Sequence, residues 1–316
     1  MLHSRLPLRD IIGTRNKLIR RKNMGFSVLM SVYEKEKPQY LREALKSVID
    51  QSQQPDQIVL VEDGRLPDEL EDVVKEFEVR LNEDGREPEE KELESLLIKF
   101  DVVRLPQNQK LGRALAEGLK HCSNELVARM DTDDIAEPDR FEIQYRYMTD
   151  HTETAVSGGL MEEFDPEDDS YRKIKTMPTG KAAIAKYSRY RNPVNHMTVM
   201  FRKTEVEAAG GYRHYPYLED YDLWVRMLAR GCEFSNIDKV FVKARTERNI
   251  YKRRGGIDYC KQYMKLRKEQ RSLGLLNCKE YMTAVLLTMG MTLQPSWMRK
   301  LVYQKALRKK SKFDRI

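Results

Sequence analysis

Residues 127–134 read Val127-Ala128-Arg129-Met130-Asp131-Thr132-Asp133-Asp134, an apolar run that ends in three carboxylates. Residues two apart on a strand point to the same face, so Asp131 and Asp133 at a strand end are predicted to lie side by side. Carboxylates concentrated in this way favour a hard divalent cation such as Mg²⁺ or Mn²⁺. The alternative is an Asp-rich turn in which Asp134, followed by Pro138, caps the next helix.

The same pattern of a buried strand followed by polar residues occurs upstream. Apolar, β-prone runs at residues 26–33, 57–61 and 100–105 precede a fourth predicted strand at 125–130, and helical spacing separates the first two. Strand, helix and strand in this order predict a right-handed parallel unit. Three of these strands end at Tyr33, at Asp63 and at the Asp cluster. Because the carboxyl ends of parallel strands line one crevice, these residues are expected to converge on one ligand site.

Charge divides the 316 residues into three parts. Residues 1–25 carry +6, residues 26–245 carry −12 and residues 246–316 carry +13, within a total of +7. These three parts predict a basic N-terminal extension, a central domain and a basic helical C-terminal region. The C-terminal region is predicted to contain helices near 259–276, 279–293 and 297–312. An acidic body argues against nucleic acid as a partner, and the basic ends are predicted to contact an anionic surface.

The cysteines and the apolar runs help to predict the cellular compartment of the protein. Cys122, Cys232, Cys260 and Cys278 lie far apart without a CxxC pair, which favours reduced thiols and a cytoplasmic protein over zinc ligation or disulfides. Residues 1–22 lack the apolar core of a signal peptide. No run reaches the roughly 18 apolar residues of a membrane span, and the nearest, residues 281–293, is too short.

A second acidic pair, Glu219-Asp220, begins a predicted helix over residues 218–228. A carboxylate near a helix N-terminus tends to stay ionised, as a general base must be. Simple helix capping is the alternative reading, and the two roles are compatible.

Six motifs, taken together, resemble family 2 glycosyltransferases of the GT-A fold, in the branch of bacterial capsule, exopolysaccharide and O-antigen enzymes. The resemblance covers residues 26–245. In chain order the motifs are Phe26-Ser27-Val28-Leu29-Met30-Ser31-Val32-Tyr33, Val61-Glu62-Asp63-Gly64, residues 108–118, Met130-Asp131-Thr132-Asp133-Asp134, Asn192-Pro193-Val194-Asn195-His196 and Leu218-Glu219-Asp220-Tyr221-Asp222-Leu223-Trp224. The fold implied is an α/β domain with a mixed, mostly parallel sheet flanked by helices, followed by a C-terminal helical extension.

The resemblance also implies an activity. A family member of this type is an inverting, Mn²⁺- or Mg²⁺-dependent hexosyltransferase, which moves a sugar from a nucleotide-diphosphate donor, usually a UDP-sugar, to a hydroxyl group. Asp220 is then the catalytic base, and Asp133 and His196 are metal ligands. The residues implied for nucleotide-sugar binding are Tyr33, Asp63, Lys110, Arg113, Asp131, Glu219 and Trp224.

Two of these assignments have a simpler alternative. His196 lies in a polar loop, where a hydrogen bond that fixes the loop is as expected as a ligand role. Trp224 can stack on a sugar, but a Trp on a buried helix is as often part of the core.

The acceptor expected for such an enzyme is a growing, lipid-linked surface glycan. The +13 C-terminal region, with an apolar stretch between basic helices, fits a peripheral anchor on the inner face of the cytoplasmic membrane. Packing of these helices on the catalytic domain is the alternative.

Two other functions compete with glycosyl transfer. They are a non-catalytic nucleotide-sugar binding protein, which Asp220 disfavours, and a nucleotidyltransferase. A nucleotidyltransferase needs a Gly-rich loop after its first strand, and residues 34–38 contain no Gly.

Overall fold

The computed structural model describes residues 25–82, 98–246, 255–295, 297–299 and 309–310. Ten strands form one sheet. They are β1 (Phe26–Val32), β2 (Gln57–Glu62), β3 (Lys99–Arg104), β4 (Leu126–Arg129), β5 (Ile135–Ala136), β6 (Thr154–Asp165), β7 (Asp168–Lys175), β8 (Met200–Arg202), β9 (Glu233–Arg245) and β10 (Lys309–Lys310). The helices are α1 (Pro38–Ile49), α2 (Asp68–Asn82), α3 (Leu111–His121), α4 (Arg140–Asp150), α5 (Lys181–Ser188), α6 (Lys203–Ala208), α7 (Glu219–Ala229), α8 (Ile257–Ser272) and α9 (Cys278–Leu293).

The sheet is parallel where the sequence predicts it to be. Strands β4, β1, β2 and β3 are neighbours in that order, and every adjacent pair among them is parallel. Beyond β4 the order continues with β8, β6, β7 and β10 in antiparallel pairs, and β9 runs parallel to β6. The predicted fold class, a mixed and mostly parallel sheet flanked by helices, is confirmed.

Helices cover both faces of the parallel strands, which explains why β1 is apolar at nearly every position. Phe26, Val28 and Met30 belong to a core that contains apolar residues of α1, α2 and α4. Leu29, on the opposite face, belongs to a second core with residues of α3 and α7. A strand buried on both faces reads as a continuous apolar run, and its polar residues therefore collect at its end.

Residues 192–199, which include the Asn192–His196 motif, form a loop with a 3₁₀ turn at His196–Thr198, and the following Met200–Arg202 pair with β4. Lys309–Lys310 pair with the edge strand β7, so the helix expected over 297–312 does not continue to its predicted end. Residues 1–24 of the predicted N-terminal extension, and residues 83–97, lie outside the described residues.

Arg267 joins the C-terminal helices α8 and α9 to the sheet domain. Its guanidinium group is buried and donates to Tyr221 Oη at 3.1 Å, to Thr288 Oγ1 of α9 at 3.2 Å and to the carbonyl oxygen of Tyr190 at 2.6 Å. Helix α9 begins with a capping box between Asn277 and Glu280. Helix α8 thus packs directly against α7, and the packing alternative holds for the inner faces of these two helices.

Candidate active site

Three carboxylates gather directly after β4. Asp131, Asp133 and Asp134 each offer an oxygen, and these oxygens lie within 4.8 Å of one another. Among the described residues this is the one group of three or more potential ligand side chains with this spacing. The predicted Asp cluster therefore exists as a local concentration of negative charge at the carboxyl end of β4.

Neighbouring segments fix the loop that carries this Asp cluster. Thr132 Oγ1 donates to the carbonyl oxygen of Ser31 at 3.2 Å and to Glu36 Oε2 at 3.0 Å. Asp134 Oδ1 accepts a hydrogen bond of 3.0 Å from the backbone amide of Arg245, and the Arg245 guanidinium donates to the carbonyl oxygen of Asp133. The loop is thus held between the end of β1 and the end of β9.

The structure contradicts the capping alternative for Asp134. Helix α4 begins at Arg140, and the residue before it is Asp139. The Asp134 carboxylate is buried and instead accepts from the Arg245 amide of a different strand. Its role in the fold is to join the Asp cluster to β9.

The electrostatics of the Asp cluster fit a cation. Burial, followed by repulsion from Asp131 and Glu36, raises the pKa of Asp133 to about 7. Burial and repulsion from Asp133 also raise the pKa of Asp134. Like charges held together in this way are relieved by a divalent cation, and carboxylate oxygens are the ligands that Mg²⁺ and Mn²⁺ prefer. The residues therefore fit a metal of this class.

Tyr33 follows β1, which is next to β4 in the sheet, and Asp63 follows β2, which is next to β1. Tyr33 is 39% exposed, and Asp63 is buried. Asp63 Oδ1 accepts a hydrogen bond of 2.5 Å from the backbone amide of Gln109, which ties the end of β2 to the loop before α3. Gly64 has φ +93°, and a Cβ there would lie 2.7 Å from the backbone nitrogen of Asn108, so only glycine allows this close approach.

Lys110 and Arg113 lie at the start of α3, and both side chains are exposed. Lys110 has φ +73°, an uncommon conformation for a residue with a side chain, and its amide donates to Asn108 Oδ1 at 3.2 Å. Such outliers collect at functional sites, where surrounding contacts hold them in place. The side chains remain available to an anionic ligand at this helix N-terminus.

Glu219 and Asp220 form the first turn of α7. Asp220 accepts from the backbone amide of Tyr221 at 2.7 Å and from the Asn192 side-chain amide. Burial, followed by repulsion from Asp220, raises the pKa of Glu219 to about 7, and repulsion from Asp131 contributes. Burial also raises the pKa of Asp220. The acidic pair therefore lies within electrostatic range of the Asp cluster.

The contact between α3 and α7 closes the arrangement on its other side. A Cβ placed on Gly112 of α3 would lie 3.0 Å from Glu219 Cβ and 2.3 Å from the carbonyl oxygen of Arg213. The absence of a side chain at Gly112 thus lets the N-termini of the two helices meet. Lys110 and Arg113 flank Gly112 in sequence, at the end of α3 that contacts α7.

His196 and Trp224 lie in the interior. His196 Nε2 is 2.9 Å from Tyr212 Oη, and Trp224 is fully buried, with its ring centroid 6.1 Å from that of His196 and the two rings nearly perpendicular. Burial, followed by the charge of Arg129, lowers the pKa of His196 well below its usual value, so the imidazole is neutral. These contacts favour the alternatives of a loop-fixing histidine and a core tryptophan, and the predicted ligand roles stay predictions.

Two arginines at the site are not among the predicted residues. Arg129 pairs with Asp131. Arg245 holds Asp133 and Asp134 and also pairs with Glu43 of α1. Arg129 stands out in sequence as a charge within an apolar run, whereas Arg245 ends a strand that the sequence analysis does not predict.

Comparison with known proteins identifies the family. Residues 27–207 match the family described as Glycosyl transferase family 2. The chain belongs to this family. The family 2 assignment also favours glycosyl transfer over the nucleotidyltransferase alternative.

Several curated relatives support the assignment over most of the chain. An uncharacterised glycosyltransferase of Haemophilus influenzae is 39% identical over 90% of this chain and 100% of its own length. The amylovoran biosynthesis glycosyltransferase AmsE of Erwinia amylovora is 38% identical over 76% of this chain and 84% of its own. A UDP-Gal:alpha-D-GlcNAc-diphosphoundecaprenol beta-1,3-galactosyltransferase of Escherichia coli is 32% identical over 90% and 97%.

The fold is also that of a protein of known structure. TarS of S. aureus, as its 1–349 fragment in complex with UDP-GlcNAc, superposes with a TM-score of 0.61 at 15% identity, over 89% of this chain and 75% of the fragment. Against the longer TarS chain the TM-score is 0.59, and this chain spans 46% of that length. At this identity the likeness shows the fold alone.

Proposed function

We propose that this family 2 glycosyltransferase transfers a sugar, with inversion, from a UDP-sugar to a hydroxyl group of a lipid-linked surface glycan. The observation that carries the proposal is the meeting of two acidic groups, the Asp cluster and the Glu219–Asp220 pair, at the carboxyl ends of the parallel strands. One acidic group suits a metal and a diphosphate, and the other suits proton removal from an acceptor.

The donor half of the site would lie along the ends of β1, β2 and β4. Exposed Tyr33 offers a ring for the nucleobase, and Asp63 keeps one carboxylate oxygen beyond its bond to Gln109. Asp131 is proposed for the ribose, and Lys110 and Arg113 for the base and phosphates. The E. coli relative named for UDP-Gal and the TarS complex with UDP-GlcNAc support a uridine nucleotide.

The metal-binding residue with the strongest support is Asp133, with Asp131 and Asp134 beside it. A bound Mg²⁺ or Mn²⁺ would supply positive charge that stabilises the leaving nucleoside diphosphate. The chain's own contribution is to hold the carboxylates together against their mutual repulsion, through the bonds from Thr132 and Arg245.

Asp220 is the proposed base. Its carboxylate would accept the proton of the acceptor hydroxyl while that oxygen forms the new bond to the anomeric carbon, and the bond from this carbon to the donor phosphate breaks. A single base is enough for one-step inversion. The amide of Tyr221 and the side chain of Asn192 hold Asp220 in one orientation, so the carboxylate does not have to be ordered during the reaction.

The experiment that tests the function has two stages. A thermal-shift screen of nucleotide sugars with Mn²⁺ should show selective stabilisation by one UDP-sugar. That donor is then supplied with a synthetic polyprenyl-diphosphate sugar, and transfer is followed by mass spectrometry. Stabilisation by a donor without transfer to any acceptor would support the non-catalytic binder, and stabilisation by none would contradict the donor class.

An anionic membrane is the proposed partner of the C-terminal region. Helix α9 buries small or polar residues (Ala284, Thr288 and Thr292) and exposes apolar ones (Met282, Leu286, Leu287, Met289 and Leu293). Beside it, Leu293 and residues of α8 line a cavity of about 430 Å³, and Lys261, Lys265 and Lys268 are among these α8 residues. Apolar residues with lysines around them match an anionic lipid surface.

In the described part of the chain, no helix is both long enough and apolar enough to cross a bilayer. The proposal is therefore a peripheral contact at the inner face of the cytoplasmic membrane. Vesicle flotation tests it. Leu286→Gln with Leu287→Gln should lower binding to anionic vesicles at least about tenfold, because two apolar side chains lose burial in lipid.

Val79→Gln is the matched control for this flotation experiment, since Val79 is 50% exposed on α2 of the sheet domain. Equal binding by the double variant and the control would rule out α9 as the contact. The same experiment with neutral vesicles measures the contribution of the basic residues.

A further inference from the structure

Arg129 is a buried cation at the centre of the site. It is the last residue of β4, its side chain is 2% exposed, and its Nη2 forms an ion pair with Asp131 Oδ1. Its backbone amide donates to the carbonyl oxygen of Val199 at 2.9 Å, which holds the end of β4 against the segment before β8.

The cost of burying Arg129 is not recovered through hydrogen bonds. Within the described part of the chain, its Nε and Nη1 are buried and have no hydrogen-bond partner. A buried polar group without a partner calls for an explanation, and a buried guanidinium is costly unless nearby negative charge compensates for it. Arg129 is thus poorly explained as a packing residue.

The negative charge that compensates Arg129 comes from both acidic groups of the site. Against the effect of burial, which raises the pKa of each, the Arg129 charge lowers the pKa of Asp133 and Asp134 in the Asp cluster. It acts in the same direction on Glu219 and Asp220 of α7. One cation therefore faces both acidic groups, which would otherwise repel each other across the site.

We propose that Arg129 is a positioning residue, which orients Asp131 for the donor and metal and keeps the Asp cluster and the Glu219–Asp220 pair together in one site. This inference rests on the proposed function. It adds that the two halves of the site are not independent, because both depend on one buried charge that touches neither substrate.

Arg140 provides a matched control for Arg129. It is also fully buried, but its guanidinium donates to Gln144 Oε1 at 2.9 Å and to the carbonyl oxygens of Arg129 and Val199. Its hydrogen bonds thus go to the scaffold. Loss of Arg140 is expected to lower stability without a specific effect on donor or metal.

The test compares Arg129→Met, Arg129→Lys and Arg140→Met, each checked for folding by circular dichroism. The affinity for UDP is measured by calorimetry in excess Mn²⁺ and in EDTA, and kcat and KM are measured with the full enzyme. Groups that orient a metal ligand typically contribute about 10–100-fold to metal affinity. Arg129→Met should therefore lose about that factor in the Mn²⁺-dependent part of UDP affinity and in kcat.

Arg129→Lys keeps the charge but loses the forked guanidinium, so a partial recovery of UDP affinity and kcat is expected. Folded Arg140→Met should retain the wild-type ratio of UDP affinities with and without Mn²⁺. Wild-type metal dependence and kcat in Arg129→Met would overturn the proposal. If that variant does not fold, wild-type values in Arg129→Lys would overturn it. Failure of the proposed function is distinguishable, since the wild-type protein itself would then either not bind UDP or bind it without transferring a sugar.

Discussion

Helices α7 and α9 differ in whether their apolar side chains are buried or exposed. Helix α7 buries Leu223, Trp224 and Met227 in the core beneath the sheet and presents Glu219 and Asp220 at its N-terminus. Helix α9 turns Ala284, Thr288 and Thr292 inward and leaves leucines and methionines exposed. An apolar face normally provides the energy of packing. The difference fits the proposed roles, in which α7 carries the catalytic base and the exposed apolar face of α9 contacts an anionic membrane.

The largest effect is expected at the N-terminus of α7. Asp220→Asn removes the proposed base but keeps the shape of the side chain, so kcat should fall by about 10²–10⁴-fold. The affinity for the UDP-sugar should stay near the wild-type value, because the donor is proposed to bind along the ends of β1, β2 and β4. Steady-state kinetics and calorimetry on the same preparation measure both quantities. Undiminished transfer with unchanged donor binding would remove Asp220 from its role.

The next effect compares one substitution on the two helices. Leu223→Ala on α7 deletes a fully buried side chain and should lower the free energy of unfolding by about 2–5 kcal/mol. Leu287→Ala on α9, where the leucine is 53% exposed, should change it by less than about 0.5 kcal/mol. Urea denaturation without lipid measures both. A similar cost for the two variants would mean that the α9 face is already covered in solution.

The four parallel strands could be predicted from the sequence, whereas β9 could not. The four parallel strands are local apolar runs, and their ends at Tyr33, Asp63 and Asp131 follow from the chain order alone. Strand β9 is different, because charged residues such as Lys239 and Lys243 interrupt its pattern and its partner β6 lies far away in sequence. Without β9 there was no basis for assigning Arg245 to the Asp cluster.

The orientation of side chains could also not be predicted from the sequence. Arg129 appears in the sequence as a single charge within an apolar run, and its contacts follow only when β8 and α4 are placed around it. The apolar stretch of α9 was visible in the sequence. Which of its faces packs inward depends on the contact between Arg267 and Thr288, which joins two helices and cannot be deduced from either one alone.

The smallest expected effect is on the pH dependence of activity, which should depend on α7 and not on α9. The exposed leucines and methionines of α9 do not titrate, whereas the α7 carboxylates do: the pKa of Glu219 is about 7, and that of Asp220 is raised by burial. A base must be deprotonated, so kcat/KM on a water-soluble acceptor should be full at high pH and fall on the acid side, with a midpoint above the usual pKa range of an aspartate because burial raises the pKa of Asp220.

Glu219→Gln provides the test of this pH dependence, because it removes the neighbouring negative charge that opposes ionisation of Asp220. The acid limb of the profile should then move to lower pH, because a carboxylate ionises more easily when a like charge beside it is removed. Asn192 and Lys175 also act on Asp220 and are unchanged in this variant, so the shift reports on Glu219. An acid limb that stays in place would assign the titration to a group other than this pair.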